Sequence, residues 1–209
     1  RPDAILASGS TSLAVLRQAT RTVPIVFANV VDPIGSGFVD NLARPGGNVT
    51  GFTPFEYNLS SKWLELLKEI VPSVTRAAVI RDPTNPSGIG QFAAIRTVAP
   101  SLGVELTPID VRDAAEIERG LAAFARSPND GLIVTSAGSV AHLTLIPKLA
   151  SKHRLPTIYA NRSFVTGGGL ISYGPDLVEG FRRAASYVDR ILKGEKPGDL
   201  PVQASDKFE

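Results

Sequence analysis

Short apolar runs alternate with amphipathic stretches along nearly the whole chain. Eight runs, at 3–7, 23–29, 49–53, 76–81, 104–109, 130–135, 156–160 and 169–173, have the length and side-chain character of strands. Helical patterns lie between them. In "SSKWLELLKEIV" a Ser cap at 60 or 61 precedes Trp63, Leu66, Leu67 and Ile70, the i, i+3, i+4, i+7 stripe of a half-buried helix. In "DAAEIERGLAAF" the pair Asp113 and Glu116 imitates a capping box, with Ile117, Leu121 and Phe124 as the buried stripe. A last helix over 176–193 starts at Asp176 and Glu179, buries Leu177, Phe181, Ala184, Val188 and Ile191, and ends at Lys193, Gly194 and Pro197. The stretch 139–153 is less regular, because Pro147 must either begin the helix or kink it, and a late start fits better. Strand and helix in alternation predict βαβ units on parallel sheets, an α/β fold. No repeat of 20 to 50 residues and no low-complexity tract interrupts the pattern.

Composition narrows the picture. With 209 residues, 43% of them hydrophobic, the chain can form one α/β domain or two small lobes with a real core. Apolar runs such as "GLIVTSAG" fall far short of the roughly 18 residues that span a bilayer. A net charge of +2, with bases scattered among acids, argues against nucleic-acid binding. The absence of Cys removes disulfides, thiol nucleophiles and Cys-ligated zinc together. There is no Met, "RPDAILASGS" reads as a strand already under way, and "LPVQASDKFE" stops in what could be the start of another. The expectation is a fragment, with any signal or lipid-attachment segment upstream.

Familiar chemical motifs are tested by spacing and fail. "GSGFVD" carries Asp40 where a dinucleotide fingerprint needs its third Gly, and no P-loop occurs. "ASGSTS" and "TSAGSV" lack the G-x-S-x-G of a nucleophile elbow. His142 and His153, the two imidazoles, make a poor metal pair eleven residues apart and read as solvated helix residues. Triplets at Asn48, Asn58 and Asn161 match the glycosylation pattern by chance, and "TGGGL" reads as a tight turn. No enzyme constellation is present, and neither a cofactor nor a metal is expected. What the strand ends do carry is small and polar: Ser8-Gly9-Ser10-Thr11, then Asn29 and Asp32, then Arg81, Asp82 and Asn85, then Thr135-Ser136, then Asn161-Arg162. In a parallel sheet these gather on the edge where open α/β folds bind ligands, beside helix N-termini. Such residues also serve as ordinary helix caps, so each alone has two readings; five ends together favour a binding edge.

The ordered set "PIVFANVVDPIGSGFVDNLARPGGNVTGF", "LIVTSAGSV", "KHRLPTIYANRSFVTGGGLISYGPD" and "ILKGEKPGDLPV" resembles the bacterial ABC-transporter substrate-binding protein family, whose better-known members bind aromatic amino acids. The likeness runs over essentially the whole chain. It implies a type I periplasmic-binding-protein fold of two Rossmann-like lobes joined by crossing strands, with ligand in the cleft between them. On that pattern residues 1–52 and 174–197 form the first lobe, 53–173 the second, and 198–209 begin a third crossing. The first crossing falls near Phe52 to Phe55 and the second near Ser172 to Pro175. Ser8, Gly9, Ser10 and Thr11 would donate to a ligand carboxylate or similar polar head. Asn29, Val31 and Asp32 would line the first lobe's wall, and Thr53, Asp82, Ser136, Asn161 and Tyr173 the remainder.

The resemblance has two departures. Relatives with amino-acid ligands are expected to place an acid after the strand that here ends "VTSAG", to pair the ammonium group, and this chain has none there. The family's first lobe also begins with about two further βα units, without which the sheet would show an unpaired edge. The expectation is a remnant of a longer protein, or a chain that covers this edge by dimerising. The implied role is a periplasmic or lipid-anchored receptor that closes by hinge motion on a small molecule and delivers it to an ABC permease. The alternative is a sensor of the same fold in a signalling or transcription-regulatory protein.

Overall fold

The computed structural model describes residues 2–136 and 142–209. In chain order its elements are β1 (Ile5–Ser8), α1 (Gly9–Ala19), β2 (Ile25–Ala28), β3 (Val49–Thr53), α2 (Ser61–Ile70), β4 (Arg76–Arg81), α3 (Pro86–Val98), β5 (Glu105–Asp110), α4 (Ala114–Phe124), β6 (Asp130–Val134), α5 (Leu145–Lys152), β7 (Thr157–Tyr159), α6 (Ser163–Thr166), β8 (Ile171–Ser172), α7 (Leu177–Leu192) and β9 (Gln203–Ala204). They form two compact units, Arg1–Glu56 with Pro175–Phe208, and Tyr57–Gly174 with Glu209.

The first unit holds a parallel sheet in the order β1-β2-β3-β9. Strand β2 is buried throughout and its side chains alternate between two cores. Ile25 and Phe27 join Ala7, Leu13, Phe38 and Val49 on the α1 side. Val26 and Ala28 meet Phe52, Ala184, Tyr187 and Ile191 on the α7 side. A strand covered on both faces has no polar face to show, which is why "PIVFAN" reads as an unbroken apolar run. Strand β1 lies at the edge of this sheet, and Leu6 and, on α1, Val15 are exposed.

In the second unit the parallel order is β5-β4-β6-β7-β8. Ala78, Ile80, Leu132, Val134 and Tyr159 pack against Ile117, Leu121 and Phe124 of α4 and Ile146 and Leu149 of α5. Trp63, Leu64 and Leu67 of α2 and Ile95 of α3 are also buried. From β4 the chain passes through α3 to β5 on one side; from β6 it passes through α5 to β7 on the other. The junction between β4 and β6 is therefore a topological switch point, where diverging connections open a crevice at the carboxyl ends.

The predicted strands all form, with ends matching or shifted by a residue or two; 169–173 shrinks to the two residues of β8. Two predicted stripes are rotated. On α2, Leu64 is buried and Ile70 is 48% exposed. On α7, Tyr187 takes the buried place and Phe181 is 39% exposed, because the Tyr187 ring packs at a tilt against Phe52, 4.6 Å between centroids, and its hydroxyl donates to the Pro201 carbonyl. Pro147 sits in the first turn of α5, as a late start requires, while 139–141 of the predicted 139–153 segment lie outside the described residues. Helix α3, which the apolar pattern does not announce, is capped by Asn85 with Pro86 at its start.

Candidate functional site

In the first unit Ser8, Ala28 and Phe52 are register partners, so Ser8 closes the carboxyl edge and Asn29 and Thr53 follow one residue beyond it. Ser8 is the N-cap of α1 and makes no side-chain cap bond. Gly9, Ser10 and Thr11 form the first helical turn, which contains no acidic side chain, so its amide ends favour a negative or polar head. Ser10 is buried at 3% exposure, whereas Thr11 is exposed. Asn29 and Asp32 both adopt positive φ, 59° and 42°, a conformation Asn and Asp tolerate better than most residues. The Asn29 amide donates to the Leu177 carbonyl at 3.1 Å, and the Asp32 carboxylate accepts the Gly35 N–H at 2.7 Å. Val31 and Thr53 are buried, and the Thr53 hydroxyl donates to Phe55 O at 3.1 Å.

The second unit collects Asp82, Ser136, Asn161 and Tyr173 at the carboxyl edge of its own sheet, beyond the paired ends of β4, β6, β7 and β8. Asp82 accepts from the Thr84 N–H and hydroxyl at 2.8 and 2.7 Å, and Asn161 accepts from the Ser163 N–H at 2.8 Å. The Tyr173 N–H donates to Tyr159 O at 2.9 Å, and its carbonyl accepts from the buried Trp63 indole at 2.7 Å. Ser136, at the switch point, is held by Gln91 of α3: its N–H donates to Oε1 at 3.2 Å, and Nε2 donates to its Oγ at 2.5 Å.

The edge also carries balanced charge. Arg81 pairs with Asp110 at 2.9 Å beneath the Phe92 ring, and Arg162 pairs with Glu209 at 2.5 Å. Burial pushes the Tyr159 phenol up to about 12, so it stays neutral at physiological pH. Among the described residues no group of three or more His, Cys, Asp or Glu could hold a metal, and no helix is long and apolar enough to cross a membrane. A cavity of about 520 Å³ in the second unit, lined by Leu67, Leu155, Leu170 and their neighbours, opens near the start of β7 and β8. It therefore lies away from the polar strand ends.

Within each unit, the structure brings the residues singled out from the sequence to one sheet edge. It also gives several of them local work: Asp82 and Asn161 are turn and cap residues, and Asn29 ties the start of α7. Gln91 was missed. Asn85-Pro86 is a helix-start signal that could have located α3, but nothing in the spacing marks Gln91 as buried.

Comparisons with known proteins agree with this fold. The family profile for ABC transporter substrate binding protein matches residues 1–209. A curated relative, a tyrosine-binding protein of Clostridioides difficile, is 26% identical over 215 aligned positions covering 100% of this chain. The chain spans 60% of that relative's length. A conserved domain protein of Vibrio cholerae superposes with a TM-score of 0.92 at 28% identity, over 100% of this chain and 70% of that one. A pneumococcal ABC domain in complex with L-Trp superposes at 0.87, over 100% of this chain and 72% of that one, and at 23% identity shares the fold alone.

Proposed function

The chain belongs to the ABC transporter substrate-binding protein family, and from that premise we propose that it is the solute receptor of an ABC importer for a small organic molecule, an amino acid or an aromatic compound. The family is one of solute-binding proteins and not of enzymes, and its members are typically extracellular or periplasmic. The observation that carries the reading is the polar carboxyl edge that each unit presents: the acid-free first turn of α1 in one, and Ser136 at the switch point in the other. Ligand bridging both edges would bias a hinge closure, and the closed form would engage a membrane permease. Periplasmic or lipid-anchored placement belongs to the same proposal.

The α1 turn suits the carboxylate of an amino acid, and the tyrosine-binding relative supports that class. No acid follows β6 in "VTSAG" to pair an ammonium group, which leaves aromatic acids lacking that group as equal candidates. A thermal-shift screen of the protein against L-tyrosine, L-tryptophan and aromatic carboxylic acids tests the reading. A ligand at 100 times its Kd should add about 2.7 kcal/mol of stability. A shift confined to sugars, or none across the panel from folded protein, would count against it.

A further inference from the structure

We propose that Gln91 is a positioning residue that fixes Ser136 and turns its hydroxyl proton away from the Gln91 amide; this rests on the reading of Ser136 as ligand-facing. Gln91 comes from the second turn of α3 and is 0% exposed. A primary amide with no access to water is retained only if its hydrogen bonds are met, and here both ends of the amide meet the same residue. The orientation is forced by chemistry. A backbone N–H can only donate, so the Ser136 amide must face Oε1, and Nε2 is left to donate to Ser136 Oγ. A hydroxyl has one proton and two acceptor sites. Because Gln91 occupies one acceptor site, the proton of Ser136 is excluded from that direction and is left to the remaining positions, where it can donate to a carbonyl or carboxylate oxygen. The recognition feature at the switch point is therefore a hydroxyl fixed in place with its proton turned from Gln91, a donor for ligands that place an acceptor oxygen there.

Helix α3 can reach Ser136 because it is drawn tightly against the end of β4. A side chain at Gly88 would place its Cβ 2.2 Å from the Asp82 carbonyl, so only glycine allows this approach. Gln91 lies one turn further along the same helix, opposite β6, the strand next to β4 in the sheet.

The test combines amide hydrogen exchange on the intact protein with calorimetric titration of L-tyrosine. In the wild type the Ser136 amide should be protected, and Gln91→Leu should speed its exchange by about tenfold or more. Gln91→Glu should restore protection, because a carboxyl group in either protonation state keeps an acceptor for the N–H. Gln91→Leu should also weaken L-tyrosine binding by about as much as Ser136→Ala, roughly tenfold. Emission from Trp63, the sole tryptophan and part of the same unit, reports that each variant is folded. Unchanged Ser136 exchange in Gln91→Leu overturns the proposal, and if that variant does not fold, random-coil exchange at Ser136 in the wild type does so. If Ser136→Ala weakens binding and Gln91→Leu does not, the positioning role fails while the ligand reading stands. If Ser136→Ala leaves binding unchanged, the ligand reading fails at this position, and the proposal falls with it.

Discussion

Gly51→Ala should destabilise the first unit by about 3–5 kcal/mol. Gly51 lies in β3 with φ at +155°, directly opposite Phe27 of β2. A Cβ there would stand 2.1 Å from the Phe27 carbonyl oxygen and 2.6 Å from its nitrogen. Both are backbone atoms in the interior of a sheet, so no rotamer change relieves the clash, and the β2–β3 ladder must open. That ladder positions Asn29 and Thr53 at the ends of its two strands, so the cost reaches the candidate site as well as the core. Hydrogen exchange over 25–28 and 49–53, with a melting curve, measures it. A loss below about 1 kcal/mol would mean that β3 moves aside more easily than the packing allows.

Asp130→Ala should cost the second unit about 2–4 kcal/mol. The carboxylate, 0% exposed, opens β6 and accepts three hydrogen bonds: from the Arg76 guanidinium and from the Arg126 and Ser127 amides, all at 2.9 Å. Arg76 in turn lies 4.8 Å from the centre of the Phe124 ring. Removal of the carboxylate orphans two backbone donors and a cation at once. Arg76 retains 35% exposure and can be rehydrated, which keeps the cost below that of a fully buried pair. Asp130→Asn keeps one acceptor oxygen and should lose about half as much. Denaturation followed by Trp63 emission reads the second unit directly, and equal stabilities for wild type and Asp130→Ala would contradict the assignment.

Much of this fold was legible because burial on both faces leaves a signature in the chain. The continuous run "PIVFAN" and the alternation of such runs with helical stripes follow from parallel strands covered by helices. Helix α3 was not legible for a physical reason. Gly88 is there to admit the Asp82 carbonyl, and the glycines that allow close approach weaken the helical pattern that would have announced it. The rotated stripe on α7 has a different cause: an aromatic residue with a polar tip, here Tyr187, competes for the core once its hydroxyl finds a carbonyl.

The candidate site was half legible. Small polar residues at strand ends can be read from the sequence, yet the same residues cap helices and turns, and Asp82 and Asn161 do so here. Ser136 differs in kind, since it is held by a buried amide from another helix. That contact joins residues 45 positions apart in the chain, and no local pattern encodes it.

The central proposal is that the polar strand ends of each unit take part in holding ligand. Calorimetric titration of L-tyrosine into the wild type, Thr11→Val and Ser136→Ala tests it most directly. The account predicts saturable binding that each variant weakens by about tenfold, the worth of one hydrogen bond to a polar head. Binding that neither variant alters, or that responds to one unit alone, would contradict it.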